Sequence, residues 1–456
     1  MDESLTRGPI RKHLLRMAIP MSIGMFFNTM FNVTDTFFAG KLGTQALAGM
    51  SVSFSVFFIL SAFVSGIATG VAALLSNALG REDNSQVEQF TINGLFLTLA
   101  VSLLLSVVGF LFSPFLLVIL GAEGEALAAG TRYVRTIYAG TVFFGLNATL
   151  NAFLSARGWT KPYRNFLIVG FLANLVLDPL LIFGWLGLPR LGTIGVALAT
   201  VVVQMVGNVY LAYKVRCLLG LRVTRETWKL INLTRQLEIL AQGIPSALNM
   251  LTVAVGVFVI NLFIYRFGND ASTAGYGAAM RLEQLALMPA LGLNAATLTL
   301  TGQNYGAGRL DRVRETFFTA LKIGLAIMTV GMVLIYPFAP FFIGLFNDDP
   351  RVIAEGTRYL RIEFIAFNAY ILINVCLSVL QGLKKPRYAV WIGIYRQVAM
   401  PLLLFNFLGI TMGLGLVGVW WGIVITTWTG ALGMLLLTRY EYRRIVRLDS
   451  AADSTH

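Results

Sequence analysis

The chain has 456 residues, of which 57% are hydrophobic and only 12% charged, and its formal net charge is +13. Soluble globular proteins carry about 25% charged residues, so this composition cannot coat two or three water-soluble domains and excludes a soluble enzyme. The same length accommodates about a dozen apolar spans of roughly 20 residues. Because the apolar stretches are continuous rather than alternating, they favour helices over a transmembrane β-barrel. An all-α polytopic membrane protein is therefore predicted.

Twelve membrane-spanning helices are predicted, in chain order. They cover residues 14–38, 48–78, 89–117, 126–154, 164–185, 193–216, 238–265, 272–302, 312–344, 353–381, 387–409 and 415–438. The first stretch is too long for the apolar region of a cleaved signal peptide, so we interpret it as a span. Several stretches exceed 25 residues, and we expect those helices to tilt or to extend beyond the hydrocarbon.

Basic residues between the spans set the predicted orientation. With a cytoplasmic N-terminus, more than two thirds of the 35 Lys and Arg residues fall in cytoplasmic segments. The outer loops and adjoining helix ends hold Lys41, Arg132, Arg135, Arg190, Arg266, Arg351, Arg358 and Arg361. This distribution follows the positive-inside rule and predicts that both termini are cytoplasmic. It also explains the net charge without a nucleic-acid partner.

Cysteine and histidine contribute little chemistry to this sequence. Cys217 and Cys376 lie far apart in separate apolar regions, and His13 and His456 lie near the termini. This spacing fits neither a disulfide framework nor a metal-binding motif. We therefore expect no cofactor and no tightly held metal centre.

The two halves of the sequence resemble each other. Ile19-Pro20 opens span one and Ile244-Pro245 opens span seven, and other landmarks recur at a nearly constant separation: Gly43 with Gly268, Gly80-Arg81 with Gly308-Arg309, Tyr133 with Tyr359, GWTKP with GLKKP, and Gly195 with Gly418. Six spans per half give both halves the same orientation, which predicts two pseudo-symmetric lobes with a cavity between them. We assign an N-lobe to 1–218, a cytoplasmic linker to 219–237 and a C-lobe to 238–456. Two unrelated six-helix units with shared turn chemistry are the alternative.

Polar side chains within the N-lobe spans are the candidate functional residues. A carboxylate inside the bilayer is disfavoured by roughly 2.5–3.5 kcal/mol, so Asp35 and Asp178 each need a reason to be there. Helical spacing extends these positions into polar faces on spans one, five, six and four: Asn28, Asn32 and Asp35; Asn174 and Asp178; Thr200, Gln204 and Asn208; and Asn147 and Asn151. The topology puts Asp35, Tyr133, Asn174, Asp178 and Thr200 in the outer half of the membrane.

The repeat provides an internal control for these carboxylates. Asp35 aligns near Ile260, Asn174 near Val398 and Asp178 near Leu402, so the N-lobe is specialised. Reversible binding of a proton or sodium ion at these carboxylates is the functional interpretation. Locking of helices through hydrogen bonds is the structural alternative.

The C-lobe carries charges whose role the sequence leaves open. They are Arg281, Glu283, Lys322, Glu363 and Arg396. Glu283 could pair with Arg396 or Lys322 across helices, and we favour such a structural ion pair over the alternative of a coupling site. The first lobe also carries residues for an adaptable substrate cavity: Phe26, Phe27, Asn28, Met30, Phe31, Asn32, Phe153 and Gln204.

The sequence resembles the multidrug and toxic compound extrusion (MATE) transporters, most closely their bacterial DinF-like branch. The similarity covers about residues 7–445 and is carried by IPMSIGMFFNTMFNVTDTFFAGKLG, NLVLDPLLIFG, GVALAT and the six-plus-six repeat. The resemblance implies a monomeric secondary antiporter of the bacterial inner membrane, embedded in lipid, that exports organic cations and amphipathic drugs in exchange for H⁺ or Na⁺.

The resemblance also implies roles for particular residues. Asp35, Asn174, Asp178 and Thr200 would form a cation-coupling site for H⁺, or alternatively for Na⁺ at Asp35, Asn174 and Asp178, and Tyr133 and Asn151 match further members. Pro20 matches the proline about which span one bends on protonation. The NorM-like branch has acidic residues in spans seven and ten, whereas span seven here has none and span ten has Glu363 near its outer end.

Three rival functions can be set against this one. A major-facilitator transporter also has twelve spans, but the loop GREDNSQVEQF lacks that family's basic motif. A flippase of lipid intermediates or an exporter of other small molecules within the same superfamily is the alternative function. A membrane-embedded enzyme would need a catalytic set that the sequence does not contain.

Overall fold

Helices form the regular structure throughout the described residues, 4–219 and 227–453 of a computed structural model. The first half contains α1 (Ile10–Gly40), α2 (Thr44–Gly80), α3 (Asn84–Ile119), α4 (Gly124–Ala139), α5 (Thr141–Ala156), α6 (Lys161–Phe183) and α7 (Thr193–Leu219). The second half contains α8 (Leu233–Phe267), α9 (Asp270–Gly306), α10 (Leu310–Ile335), α11 (Ala339–Gly344), α12 (Pro350–Gly382), α13 (Arg387–Ile394), α14 (Met400–Asn406) and α15 (Gly415–Asp453). Short 3₁₀ turns occupy Trp185–Gly187 and Thr227–Leu230.

The predicted all-α class with twelve spans is confirmed. Within the described residues, eleven helical stretches are long and apolar enough to cross a membrane, and α4 with α5 supplies a twelfth as one bent span. His456 and residues 220–226 of the predicted linker lie outside the described residues.

Span four is the first departure from the predicted helices. The predicted span 126–154 is one span, but it is divided into α4 and α5, which meet at Gly140 with a bend of 49°. A Cβ atom at Gly140 would lie 2.4 Å from Cγ2 of Val201 on α7. Glycine at the bend therefore allows α7 to pack directly against the backbone.

Prolines interrupt two further predicted spans. The predicted span 312–344 is too long, since α10 ends at Ile335, two residues before Pro337, and α11 follows as a separate helix. The stretch 387–411 has π-helical turns at Tyr395–Ala399 and Phe407–Thr411. The first of these turns directly precedes Pro401, whose missing N–H breaks the regular hydrogen-bond ladder.

The chain folds into two compact units, one formed by Pro20–Ala247 and the other by Met1–Ile19 with Leu248–His456. Both boundaries fall inside helices, α1 and α8, whereas the sequence placed them on either side of the linker. Packing explains the first difference, because Ile10, Leu14 and Met17 are buried in the core of the second unit. Packing also explains the boundary within α8, because Gly243 near the start of α8 packs against the backbone of Gly66 in the first unit.

The internal repeat is visible in the helix packing of each unit. In the first unit, a Cβ atom at Gly49 would lie 2.8 Å from the backbone nitrogen of Gly130. At the repeated positions of the second unit, a Cβ atom at Gly275 would lie 2.6 Å from the nitrogen of Gly356. The same close approach of two helices is thus built twice, with glycine on both sides each time.

Candidate functional site

Four polar side chains from α1, α6 and α7 meet inside the Pro20–Ala247 unit. Asn174 Nδ2 donates to Asp35 Oδ1 over 2.9 Å and to Asp178 Oδ1 over 3.2 Å. Thr200 Oγ1 lies 3.1 Å from Asp35 Oδ2 and can donate its single proton there. One amide therefore joins two carboxylates, and the threonine connects the third helix to them.

Helix geometry explains how these groups converge. Asn174 and Asp178 are one turn apart on α6 and so lie on the same face. Thr200 Oγ1 is also 3.1 Å from the carbonyl oxygen of Val196, one turn earlier on α7. Because the hydroxyl has one proton, it can donate either to Asp35 or to that carbonyl, so this hydrogen bond can switch without a change in the backbone.

Both carboxylates are buried without a fixed positive charge. Asp35 is 5% exposed and Asp178 is 0% exposed. In the described parts of the chain, no basic nitrogen lies within 4 Å of either group. A buried charge without a partner is strongly disfavoured, so the pair requires a proton or a bound cation for neutrality.

Two oxygen atoms of the site are available to such a ligand. Asp178 Oδ2 and Asn174 Oδ1 are buried and have no hydrogen-bond partner. Carboxylate and amide oxygens are typical ligands of hard cations. The described residues contain no cluster of three or more His, Cys, Asp or Glu side chains arranged to hold a metal ion.

Tyr133 and Asn151, the other two predicted site residues, do not hydrogen-bond to these carboxylates. Tyr133 is half-buried and packs beside the site, against a cluster that includes Ala39, Ile182 and Val196. Asn151 is on α5, where its Oδ1 accepts a hydrogen bond of 3.1 Å from Ser155. The structure therefore places Tyr133 next to the site and Asn151 in a different local contact.

The predicted cavity residues divide into exposed and packed groups. Phe26 is 45% exposed and Asn28 is exposed, while Phe27, Met30, Asn32 and Gln204 are half-buried. Phe31 and Phe153 instead belong to the buried core of the first unit at 9% and 0% exposure in this conformation.

A second polar cluster lies in the other unit, on α9, α12 and the π-helical stretch. Tyr359 donates to Glu283 Oε2 over 3.1 Å, and Tyr370 donates to Glu363 Oε1 over 2.7 Å. Glu363 is completely buried. The guanidinium of Arg396 lies 5.3 Å from the ring centroid of Tyr370. Sequence reasoning named the charged members but missed the cluster and its two tyrosine donors.

The ion pair predicted for Glu283 is wrong. Neither Lys322 nor Arg396 has a nitrogen within 4 Å of it in the described structure, and the Tyr359 hydroxyl takes that place. The repeat did indicate one of the two tyrosine donors, because Tyr133 matches Tyr359 and each lies beside the polar group of its lobe. No sequence pattern indicated Tyr370.

Twelve spans with a buried pair of carboxylates define a multi-pass membrane protein, and comparison with known proteins gives its family. The MatE family profile matches residues 20–180 and 245–407. A FAD transporter of Shewanella oneidensis is 29% identical over 406 residues, covering 87% of this chain and 88% of that protein. The multidrug export protein MepA of Staphylococcus aureus is 26% identical, with coverage of 99% and 98%.

A solved structure agrees with the sequence relatives. A MATE protein crystallised in the bent conformation superposes with a TM-score of 0.88 at 25% identity, covering 98% of both chains. The chain belongs to the MatE family, as the resemblance of its motifs predicted. It is a multi-pass membrane transporter.

Proposed function

We propose that this transporter exports amphipathic and cationic drugs across the bacterial inner membrane in exchange for inward H⁺ or Na⁺. Both termini would lie in the cytoplasm, as the distribution of basic residues predicts. The relationship to the multidrug protein MepA supports the substrate class.

The buried pair of Asp35 and Asp178 carries this proposal. The two carboxylates share the amide of Asn174 and have no basic partner among the described residues. One carboxylate oxygen and one amide oxygen of this site are buried and unpartnered. Those atoms favour a group that gains and loses a cation during each cycle.

Proton binding would change the hydrogen bonds of the site. An ionised Asp35 accepts from Asn174 and Thr200. A protonated Asp35 can donate a hydrogen bond. The unpartnered Oδ1 of Asn174, which belongs to the side chain already bonded to Asp35, can accept it. Thr200 can then return its proton to the carbonyl of Val196. The two protonation states thus favour different hydrogen bonds between α1, α6 and α7.

The hinge for this change is Pro20 in α1. Pro20 lies where α1 passes from one compact unit into the other, and its ring removes one helical hydrogen bond. Asp35 is about 22 Å further along the same helix at 1.5 Å per residue. Only a difference in binding energy between the two arrangements can bend the helix. Spin labels on α1 and α7 should report two distances, one for each arrangement of α1. The ratio of the two populations should depend on pH, and this dependence should be absent in Asp35→Asn.

FAD export is the second candidate function, because the Shewanella FAD transporter aligns over most of both chains. FAD is an anionic dinucleotide, whereas the drugs expelled under the first proposal are cationic or neutral amphiphiles. The two candidates are separated by loading proteoliposomes with FAD or with ethidium and measuring which one the protein moves.

Proteoliposome efflux tests the coupled-export proposal. Drug efflux should be driven by an imposed H⁺ gradient or by an imposed Na⁺ gradient at clamped membrane potential, and the effective gradient identifies the ion. Efflux that proceeds equally without either gradient would contradict antiport.

A further inference from the structure

A cavity of about 620 Å³ lies on the second unit, between α11 and the beginning of α12. This volume is within the range of roughly 300–1,000 Å³ that is typical of ligand sites. Its lining includes the apolar residues Pro340, Ile353 and Ile362 and two arginines, Arg358 and Arg361. The cavity is therefore shaped for a molecule with an apolar segment and an anionic group.

Polar groups at the cavity have unused binding capacity. Thr357 lines it and is 7% exposed, yet its hydroxyl has no hydrogen-bond partner. Arg361 contacts the ring of Tyr336 at 5.4 Å and no carboxylate within 4 Å in the described structure. Arg358 is paired with Glu355 at 3.2 Å but remains 57% exposed. One net positive charge is left for a ligand.

The repeat provides a comparison for these arginines. Residues 130–135 read GTRYVR and residues 356–361 read GTRYLR. In the first unit, Arg135 lies over the ring of Phe110 at 5.1 Å, and its Nε also donates to the Phe110 carbonyl over 3.2 Å. In the second unit, Arg361 makes the ring contact with Tyr336, but no bond to the carbonyl oxygen is present among the described residues. The last arginine of the motif is thus bonded within the protein in the first unit, whereas in the second unit it is available to a ligand.

The difference arises from the helix that precedes the motif. In the first unit, α3 is continuous through Pro114. In the second unit, α10 ends at Ile335 and α11 forms separately, with Pro340 on the cavity wall. Interruption of the helix thus accompanies the opening beside α12.

The surroundings of the cavity are typical of a membrane interface. Phe338 is 58% exposed and Phe341 is 63% exposed. Aromatic side chains concentrate at the level of the lipid headgroups, and short helices with an exposed apolar face lie in that plane. Under the proposed orientation, this is the outer surface of the inner membrane, where arginine is otherwise uncommon.

We propose that this cavity binds the headgroup of an anionic phospholipid from the outer leaflet. The phosphate would lie against Arg361 and Arg358, and the hydroxyl of Thr357 would be a third polar contact after a change of rotamer. The first part of an acyl chain would run along Ile353 and Ile362 toward Phe341. This site is separate from the carboxylate pair and does not depend on the coupling ion.

Binding of a fluorescent phosphatidylglycerol to the full-length protein in detergent tests the proposal. Arg361→Gln should weaken binding by about fivefold, since one arginine near an anionic lipid contributes about 1 kcal/mol. Fluorescent phosphatidylcholine should bind weakly to both proteins. Arg135→Gln is the matched control, because it changes the repeated arginine whose bonds are internal, and it should bind phosphatidylglycerol like the unaltered protein.

Three results would overturn the proposal. They are unchanged phosphatidylglycerol binding by both Arg361→Gln and Arg358→Gln, an equal loss in Arg135→Gln, and displacement of the lipid by millimolar inorganic phosphate, which would identify a site for a soluble anion.

Thr357→Val keeps the side-chain shape and guards against misfolding of the arginine variants. It should elute as a single species and bind the lipid more weakly, and undiminished binding would exclude the hydroxyl contact.

Discussion

The two units of this transporter neutralise buried carboxylates in different ways. In the first unit, Asp35 and Asp178 share the amide of Asn174. In the second, Glu283 and Glu363 each accept a hydrogen bond from a tyrosine of α12. The guanidinium of Arg396 lies 5.3 Å from the ring centroid of Tyr370. The second cluster thus contains its own hydrogen-bond donors and has an arginine beside it.

The comparison shows that the two halves of a duplicated fold carry different polar groups. Both units keep the same glycine contacts and a tyrosine at the repeated position. Aliphatic residues occupy the C-lobe positions that align with Asp35 and Asp178. The repeat therefore preserves the helix packing, while the polar groups inside each bundle have diverged. Within the described structure, the first unit's aspartates share one amide, whereas in the second unit Arg396 lies over the ring of the tyrosine that donates to Glu363.

The largest effect is expected for Asp35→Asn. The amide keeps the size of the side chain but cannot gain and lose a proton, so drug efflux from proteoliposomes should fall to the level of protein-free vesicles. Asp83→Asn is the matched control, since Asp83 caps α3 outside the spans and hydrogen bonds from Gln86 lower the pKa of Asp83. Efflux by Asp35→Asn at the rate of the control would show that Asp35 is not part of the coupling site.

A direct comparison of the units comes next, using Asp178→Asn and Glu363→Gln. Asp178→Asn should abolish most efflux, because it removes an ionisable group from the shared site. Glu363→Gln should keep most efflux, because its Oε1 still accepts the hydrogen bond from Tyr370. Equal losses in one assay would mean that both units bind coupling ions.

An intermediate effect is expected for Thr200→Val. The substitution keeps the shape of the side chain and removes one donor to Asp35. A hydrogen bond to a charged group contributes about 1.5–3 kcal/mol, so we expect efflux to fall by about tenfold or more. Thr200→Ser retains the hydroxyl and should restore the rate. Failure of serine to restore it would indicate a packing effect of the methyl group.

The smallest effect on transport is expected for Tyr370→Phe, which should act on stability instead. Loss of the hydroxyl leaves buried Glu363 without its donor, at a cost of about 1–3 kcal/mol. Thermal unfolding in detergent should therefore begin at a lower temperature. Tyr395→Phe removes a more exposed hydroxyl contact with Thr429 and serves as the control. Equal thermal stability of the two variants would contradict a structural role for the Tyr370 bond.

Local patterns predicted the spans and part of the site, while contacts between helices had to come from the structure. The spacing of Asn174 and Asp178 placed them on one face, polar positions within the spans also identified Asp35 and Thr200, and the family resemblance grouped the four into one site. Hydropathy could not reveal the bend at Gly140, because its cause is the approach of Val201 from another helix. The residue type alone could not predict the role of Phe153 either, because phenylalanine both lines cavities and fills cores.

The C-lobe cluster illustrates the same limit over a longer distance. Glu283 and Tyr359 are 76 residues apart, and no local spacing indicates their hydrogen bond. The boundaries of the compact units were similarly hidden, because they depend on which unit the beginning of α1 packs against. Periodicity identifies the face of a helix, and tertiary packing selects its partner.

Drug-driven ion movement is the most direct test of the proposed coupling site. Proteoliposomes are loaded with drug at equal internal and external pH and Na⁺, and internal pH and Na⁺ are then recorded while the drug leaves. The unaltered protein and Glu363→Gln should move H⁺ or Na⁺ inward as the drug leaves, and Asp35→Asn and Asp178→Asn should not. Drug-driven ion uptake that persists in both aspartate variants would contradict a coupling site in the first unit.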